Sequence, residues 1–108
     1  MRIWDIPCRL LCDKHLLGEH RELHAIWSIL TNNKKGYSDH PETKRWEGKL
    51  PALLERHRQQ VLEMTIREFN HKSSLKVQSG LDYQDEMINT IEEQRELLNS
   101  KPCNCLIG

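Results

Sequence analysis

With 108 residues the chain has room for one domain (1–108) and not two, and 37% hydrophobic against 30% charged residues leaves it a thin core with many wet helix faces. Its 16 basic and 16 acidic side chains cancel, which speaks against attraction to a polyanion through net charge alone. They are unevenly placed, however: 14 Lys and Arg stand against 10 Asp and Glu through Lys76, and 2 against 6 from Val77 onward, so a ligand surface is expected in the basic first part.

No apolar run approaches the roughly 18 residues of a membrane span, and the N-terminal residues lack the pattern of a signal peptide, so no membrane partner and an intracellular location are expected. In that reducing setting Cys8, Cys12, Cys103 and Cys105 are expected as thiols.

Residues 1–12 contain Pro7 and no sustained helical period, which reads as an extended arm. Asp13 is a candidate cap, and Leu16, Leu23, Trp27 and Leu30 then recur on one stripe, predicting a helix over 13–31. The stretch from Asn32 to Pro41 is rich in turn residues and reads as an exposed, partly basic loop. Pro51 suits an early helical position, and Leu54, Val61, Leu62, Ile66 and Phe69 mark the inner face of a helix over 50–70, with Arg56, Arg58 and Arg67 opposite. After a polar connection, Asp82 is a plausible cap for a third helix over 82–99 with Met87, Ile91, Gln94 and Leu98 on its inner side, ended by Pro102. Strand-like alternation of useful length is missing, so the expected fold is all-α: three helices with the arm packed against them.

One face of the first helix is polar. His15, Gly18, Glu19 and Glu22 lie at i, i+3, i+4 and i+7, flanked by Arg21. Gly18 inside a helix costs about 1 kcal/mol relative to Ala, which suggests a close approach to the backbone there, with the arm as the candidate neighbour. The run Met1-Arg2-Ile3, the string from Asp13 to Leu23 with its His-Leu-x-x-Glu-x-Arg-Glu-Leu pattern, and the segment from Lys49 to Asn70 together resemble the phage endonuclease V family of pyrimidine-dimer glycosylases and abasic-site lyases. The loop from Lys35 to Pro41 is similar to bacterial relatives of that family.

The resemblance implies a DNA repair enzyme acting on damaged double-stranded DNA, in the cytoplasm or with the nucleoid, without metal or organic cofactor. It makes Met1 the source of a nucleophilic α-amine and Glu22 the assisting carboxylate, and it matches Arg2 and Arg21 to arginines that hold phosphates and His15 to a histidine near the site. An α-amine ordinarily loses its proton roughly two and a half pH units below a lysine, so a useful fraction is neutral at physiological pH. Two departures from the family pattern stand out: Ala25 replaces a phosphate-binding arginine, and an aromatic-rich tail is missing. Lys44, Arg45 and Trp46 in the loop region are further DNA-contact candidates, Trp46 by stacking on a base.

His15, His20 and His24 share one helix, but carboxylate or cysteine partners at ligand spacing are lacking, so they read as surface imidazoles and no metal is assigned. Cys8 and Cys12 with Cys103 and Cys105 also allow a four-thiolate zinc clasp, although the spacings are not those of a standard knuckle. The rivals to a glycosylase are a non-catalytic DNA-binding protein on the same fold and a helical protein-interaction module. A monomer is expected.

Overall fold

The computed structural model describes residues 2–32, 39–69, 75 and 79–101. These form an arm with a 3-10 turn at Cys8–Leu10, followed by α1 (Asp13–Asn32), α2 (Pro41–Lys44), α3 (Leu50–Ile66) and α4 (Ile91–Asn99). No strand occurs among the described residues, and the fold is all-α as expected.

The α1 stripe reads as predicted: Leu16, Leu23 and Trp27 are buried, with Ile26 and Ile29 beside them, and α1 packs chiefly on α3. Two apolar clusters result. Ile3, Leu23, Ile26, Trp27, Trp46, Ala52 and Leu53 form one, and Trp4, Ile6, Cys8, Leu11, Leu16, Met64 and Leu98 form the other. The arm threads both, with Ile3 in the first and Trp4 and Ile6 in the second.

On α3 the inner face differs from expectation. The buried residues are Ala52, Leu53, His57, Gln60 and Met64, whereas Leu62 and Ile66 are exposed. An apolar-only stripe passes over this face because two of its members are polar: Gln60, which donates to Glu19, and His57, whose ring stacks on that of His20.

The expected helix over 82–99 is also shorter in fact. Residues 79–90 are irregular, Met87 is exposed, and α4 starts only after Thr90. Thr90 and Glu93 make a reciprocal capping box, Glu93 N donating to Thr90 Oγ1 at 3.1 Å and Thr90 N to Glu93 Oε1 at 2.9 Å. Upstream, the chain is held off the helical path by other bonds. Leu81 N donates to Gly48 O at 2.8 Å, and Leu81 O receives Ala52 N, one of the orphan donors at the start of α3, at 3.2 Å. Gly80 permits this approach, since a Cβ there would meet Gly48 O at 2.7 Å. The buried Lys49 ammonium then donates to Gln84, Asp85 and Glu86 at 2.8, 2.8 and 3.0 Å, which meets all three of its donors.

The end of α3 is a Schellman turn. Phe69 N reaches Met64 O at 2.8 Å, Glu68 N reaches Thr65 O at 3.0 Å, and Phe69 packs against the cluster that contains Met64. The turn requires a left-handed residue, and Glu68 supplies it at φ 65°. A side chain in that conformation costs about 1–2 kcal/mol, only partly offset by the extra unfolded-state freedom of glycine. Glu68→Gly is therefore expected to stabilise the protein by about 0.5–1 kcal/mol, seen as a raised urea midpoint; a lowered midpoint would contradict this account of the turn.

Candidate active site

The arm runs through the interior without a strand partner, so its backbone groups need side chains. Three elements provide them. Trp4 N donates to Glu19 Oε1 of α1 at 2.7 Å, Asp5 N to Gln94 Oε1 of α4 at 2.8 Å, and Ile3 O accepts from Arg45 Nη2, just past α2, at 2.9 Å.

Glu19 is the hub of this arrangement. Its carboxylate is fully buried and also takes both nitrogens of an Arg56 fork at 2.8 Å each, together with a short bond from Gln60 Nε2. Four donors on two oxygens satisfy a buried anion, and the fork geometry makes the pair bidentate. Sequence reasoning places Glu19 on the polar face but misses that it points inward. A carboxylate on α1 and an arginine on α3 are individually ordinary, and only the helix packing joins them.

Beside this hub lies a cleft of about 510 Å³ lined by Arg2, Trp4, Lys14, His15, Gly18, Glu19, Glu22, Leu97 and Lys101. It brings together Arg2, His15 and Glu22 from the sequence-derived candidates. The arm does not press on Gly18: among the described residues nothing lies within 4 Å of a Cβ built there, and the open space above it is the cleft itself.

Arg2 is fixed at the rim. Its Nη1 donates to Asn89 Oδ1 at 2.9 Å and its guanidinium lies 4.9 Å from the Trp4 ring centroid. The Trp4 indole in turn meets His15 edge-on, with centroids 6.0 Å apart. His15 Nδ1 is 3.2 Å from Cys12 Sγ, and burial, followed by the positive charges of Lys101 and Lys14, lowers its pKa below the ordinary histidine value. His15 accordingly enters the cleft as a neutral ring at physiological pH. Cys8, by contrast, is buried away from solvent, which pushes its thiol up to about 11 and leaves it unreactive. Cys8 and Cys12 are not joined in a disulfide among the described residues, and Cys103 and Cys105 lie outside them.

The other candidates fall elsewhere. Met1 lies outside the described residues. Arg21 is exposed, and Lys44 is 57% exposed with Asp39 at 3.8 Å. Arg45 and Trp46 are interior and not on a DNA-facing loop, which corrects the expectation for both. Arg45 is spent on Ile3 O, Asp5, Glu42 and Glu86 O, while the Trp46 indole donates to Glu42 Oε1 at 3.1 Å and packs against Ile3. The basic string Lys44-Arg45-Trp46 misleads because α2 turns its second and third residues inward. Lys14, Lys101 and Asn89 enter the cleft or its rim unannounced, the last two from the acidic part of the chain.

His20 and His24 are not surface imidazoles. Both are half-buried and meet the buried His57 of α3.

A family model described as pyrimidine dimer DNA glycosylase matches residues 1–77, the span that holds the arm, α1, α2 and α3. The chain belongs to the pyrimidine dimer DNA glycosylase family, and DNA is the substrate class that this membership implies. No curated protein and no solved structure matches it. No helix among the described residues is long and apolar enough to cross a membrane.

Removing the hub carboxylate strands a buried guanidinium and the Trp4 amide together. Glu19→Ala is therefore expected to lower stability by about 3–5 kcal/mol, measured by urea unfolding, and Glu19→Gln, which keeps an acceptor for Trp4 N–H, by less. Equal and small losses from both would show that the arm is anchored by other means.

Proposed function

We propose that the protein cleaves a glycosyl bond of pyrimidine dimers in duplex DNA and then the strand at the resulting abasic site, with the Met1 α-amine as nucleophile and Glu22 as the proton-transferring carboxylate. The observation that carries this reading is the common cleft of Arg2 and Glu22, on a chain whose family match begins at residue 1. Met1 is the sequence neighbour of Arg2, which supports assigning its amine to this cleft.

In this mechanism the neutral amine attacks the sugar C1′ of the damaged nucleotide and the C1′–N bond to the base breaks; the nitrogen then gives up a proton and the C1′–O4′ bond opens, O4′ leaving as a hydroxyl, so that a C1′ imine forms. The imine acidifies the C2′ proton. Glu22 takes that proton, the electron pair forms a C1′=C2′ enamine and then the C2′=C3′ double bond as the C3′–O bond breaks, and the 3′ phosphate leaves by β-elimination, which cuts the strand. Arg2 and Arg21, with Lys44 farther out, are assigned to backbone phosphates. The neutral His15 ring is assigned to hydrogen bonding in the cleft rather than to phosphate attraction. None of these steps calls for a metal or organic cofactor.

Borohydride reduction on abasic or irradiated DNA is expected to trap the protein covalently, with the adduct mapping to Met1. The cleft lysines Lys14 and Lys101 are the competing amines, and an adduct on either, or full activity after residues are added before Met1, would overturn the assignment.

Glu22→Gln changes a half-buried residue isosterically, so fold and DNA binding should be kept while strand scission falls by about 100- to 10,000-fold. Scission close to that of the unaltered protein would remove Glu22 from the mechanism.

A further inference from the structure

On the far side of the Glu19 hub from the arm, three histidines converge. His20 and His24 are one turn apart on α1, His57 comes from α3, and ring nitrogens of all three lie within 4.8 Å of one another. The ring centroids are 4.6, 5.0 and 5.1 Å apart. We propose that His20, His24 and His57 form a three-histidine binding site for a zinc-class divalent cation that ties α1 to α3.

Two features of the geometry point to a cation and not to packing alone. The Nε2 atoms of His20 and His24 are 3.2 Å apart. Two imidazole nitrogens bound tetrahedrally at about 2.0–2.1 Å from zinc are separated by about 3.4 Å, so this pair already spans one edge of the coordination polyhedron. Small side-chain rotations bring the His57 ring in as the third corner, and the fourth is left to water.

The second feature is the tautomer of His20. Its Nδ1 lies 2.8 Å from Gln60 Oε1, and the orientation of that amide is dictated from behind, because Gln60 Nε2 faces the acceptor-only carboxylate of Glu19. The Gln60 oxygen must therefore accept Nδ1–H of His20, which leaves Nε2 of His20 as a lone pair aimed at His24. Such an outer partner on the second ring nitrogen is the usual means of fixing a metal-binding imidazole. Seating a cation then requires only that the His24 proton reside on Nδ1, so both rings stay neutral and no proton is lost overall. Three imidazoles select zinc, copper, nickel or cobalt over magnesium and calcium, which prefer oxygen.

The site is separate from the cleft and does not rest on the proposed glycosylase reading. It shares Glu19 with the arm through Gln60, so an occupied site braces the carboxylate that anchors Trp4.

The test uses the full chain. Protein prepared without chelator is expected to contain about one zinc per chain by elemental analysis, and after stripping with a chelator, cobalt(II) should give the intense visible absorption of a tetrahedral centre. Zinc at about a hundredfold excess over its Kd should raise Tm by roughly 10 °C. His57→Ala should abolish all three signals. So should His24→Gln, whose half-buried position keeps the fold intact by circular dichroism. The pair Cys103→Ser and Cys105→Ser should leave the metal content unchanged. A chain that binds neither zinc nor cobalt, or metal that follows the cysteines and survives loss of His24, would overturn the proposal.

Discussion

An unpaired backbone segment inside a small core is the constraint on which the rest of this structure depends. The arm crosses both apolar clusters as an extended chain, yet no strand lies beside it among the described residues to take its hydrogen bonds. Each buried amide or carbonyl left alone would cost about 1–3 kcal/mol. The protein meets this with polar side chains drawn into the interior from three different elements: Glu19, Arg45 and Gln94. Much else follows. Glu19 needs Arg56 and Gln60, Arg45 needs Glu42 and Asp5, and α3 consequently buries a face that is partly polar. A core of few apolar residues is thus supplemented by a connected polar interior, consistent with the low hydrophobic share of the sequence.

The parts of the fold legible in the sequence are those governed by local pattern. α1 carries an apolar stripe interrupted only by Glu19, and its start and end fall within a residue of expectation. The end of α3 is overrun because Glu68 terminates it in a conformation that a sequence reader assigns to glycine. The start of α4 is misplaced for a different reason. Thr90 to Glu93 is a readable capping signature, but Asp82 offers an earlier and plausible cap, and what breaks the helix between them is Lys49, more than thirty residues away. At the site, Arg2, His15 and Glu22 share one cleft because they lie close to one another on the arm and on one face of α1. Arg45 and Trp46 mislead because exposure of a basic string is set by tertiary packing. A charged residue reads as surface until its partners, here the buried Glu42 and the half-buried Asp5, are seen.

The family match ends at residue 77, but the arm's cradle does not. Gln94 holds Asp5, Leu98 closes the second apolar cluster, Asn89 holds Arg2, and Leu97 and Lys101 form a wall of the cleft. The tail, acidic in sum, therefore takes part in the cleft itself. It adds apolar and basic residues to the cleft, while its carboxylates at Asp85 and Glu86 are gathered onto Lys49. Charge separation along the sequence thus becomes a finer separation in space, with cations left at the rim and part of the acidic surplus neutralised elsewhere.

The clamp on Arg2 has a thermodynamic side. An arginine free in solvent surrenders about 2 kcal/mol of rotameric freedom when a ligand immobilises it, and that loss is subtracted from whatever the contact gains. Here the Trp4 ring beneath the guanidinium and the Asn89 amide at its tip already restrict those rotamers during folding. An anion meeting Arg2 encounters a group whose disorder was given up earlier, so the same hydrogen bonds yield tighter binding. The cost has been moved from the binding equilibrium to the folding equilibrium, where the buried indole and the helix that follows Asn89 help to carry it.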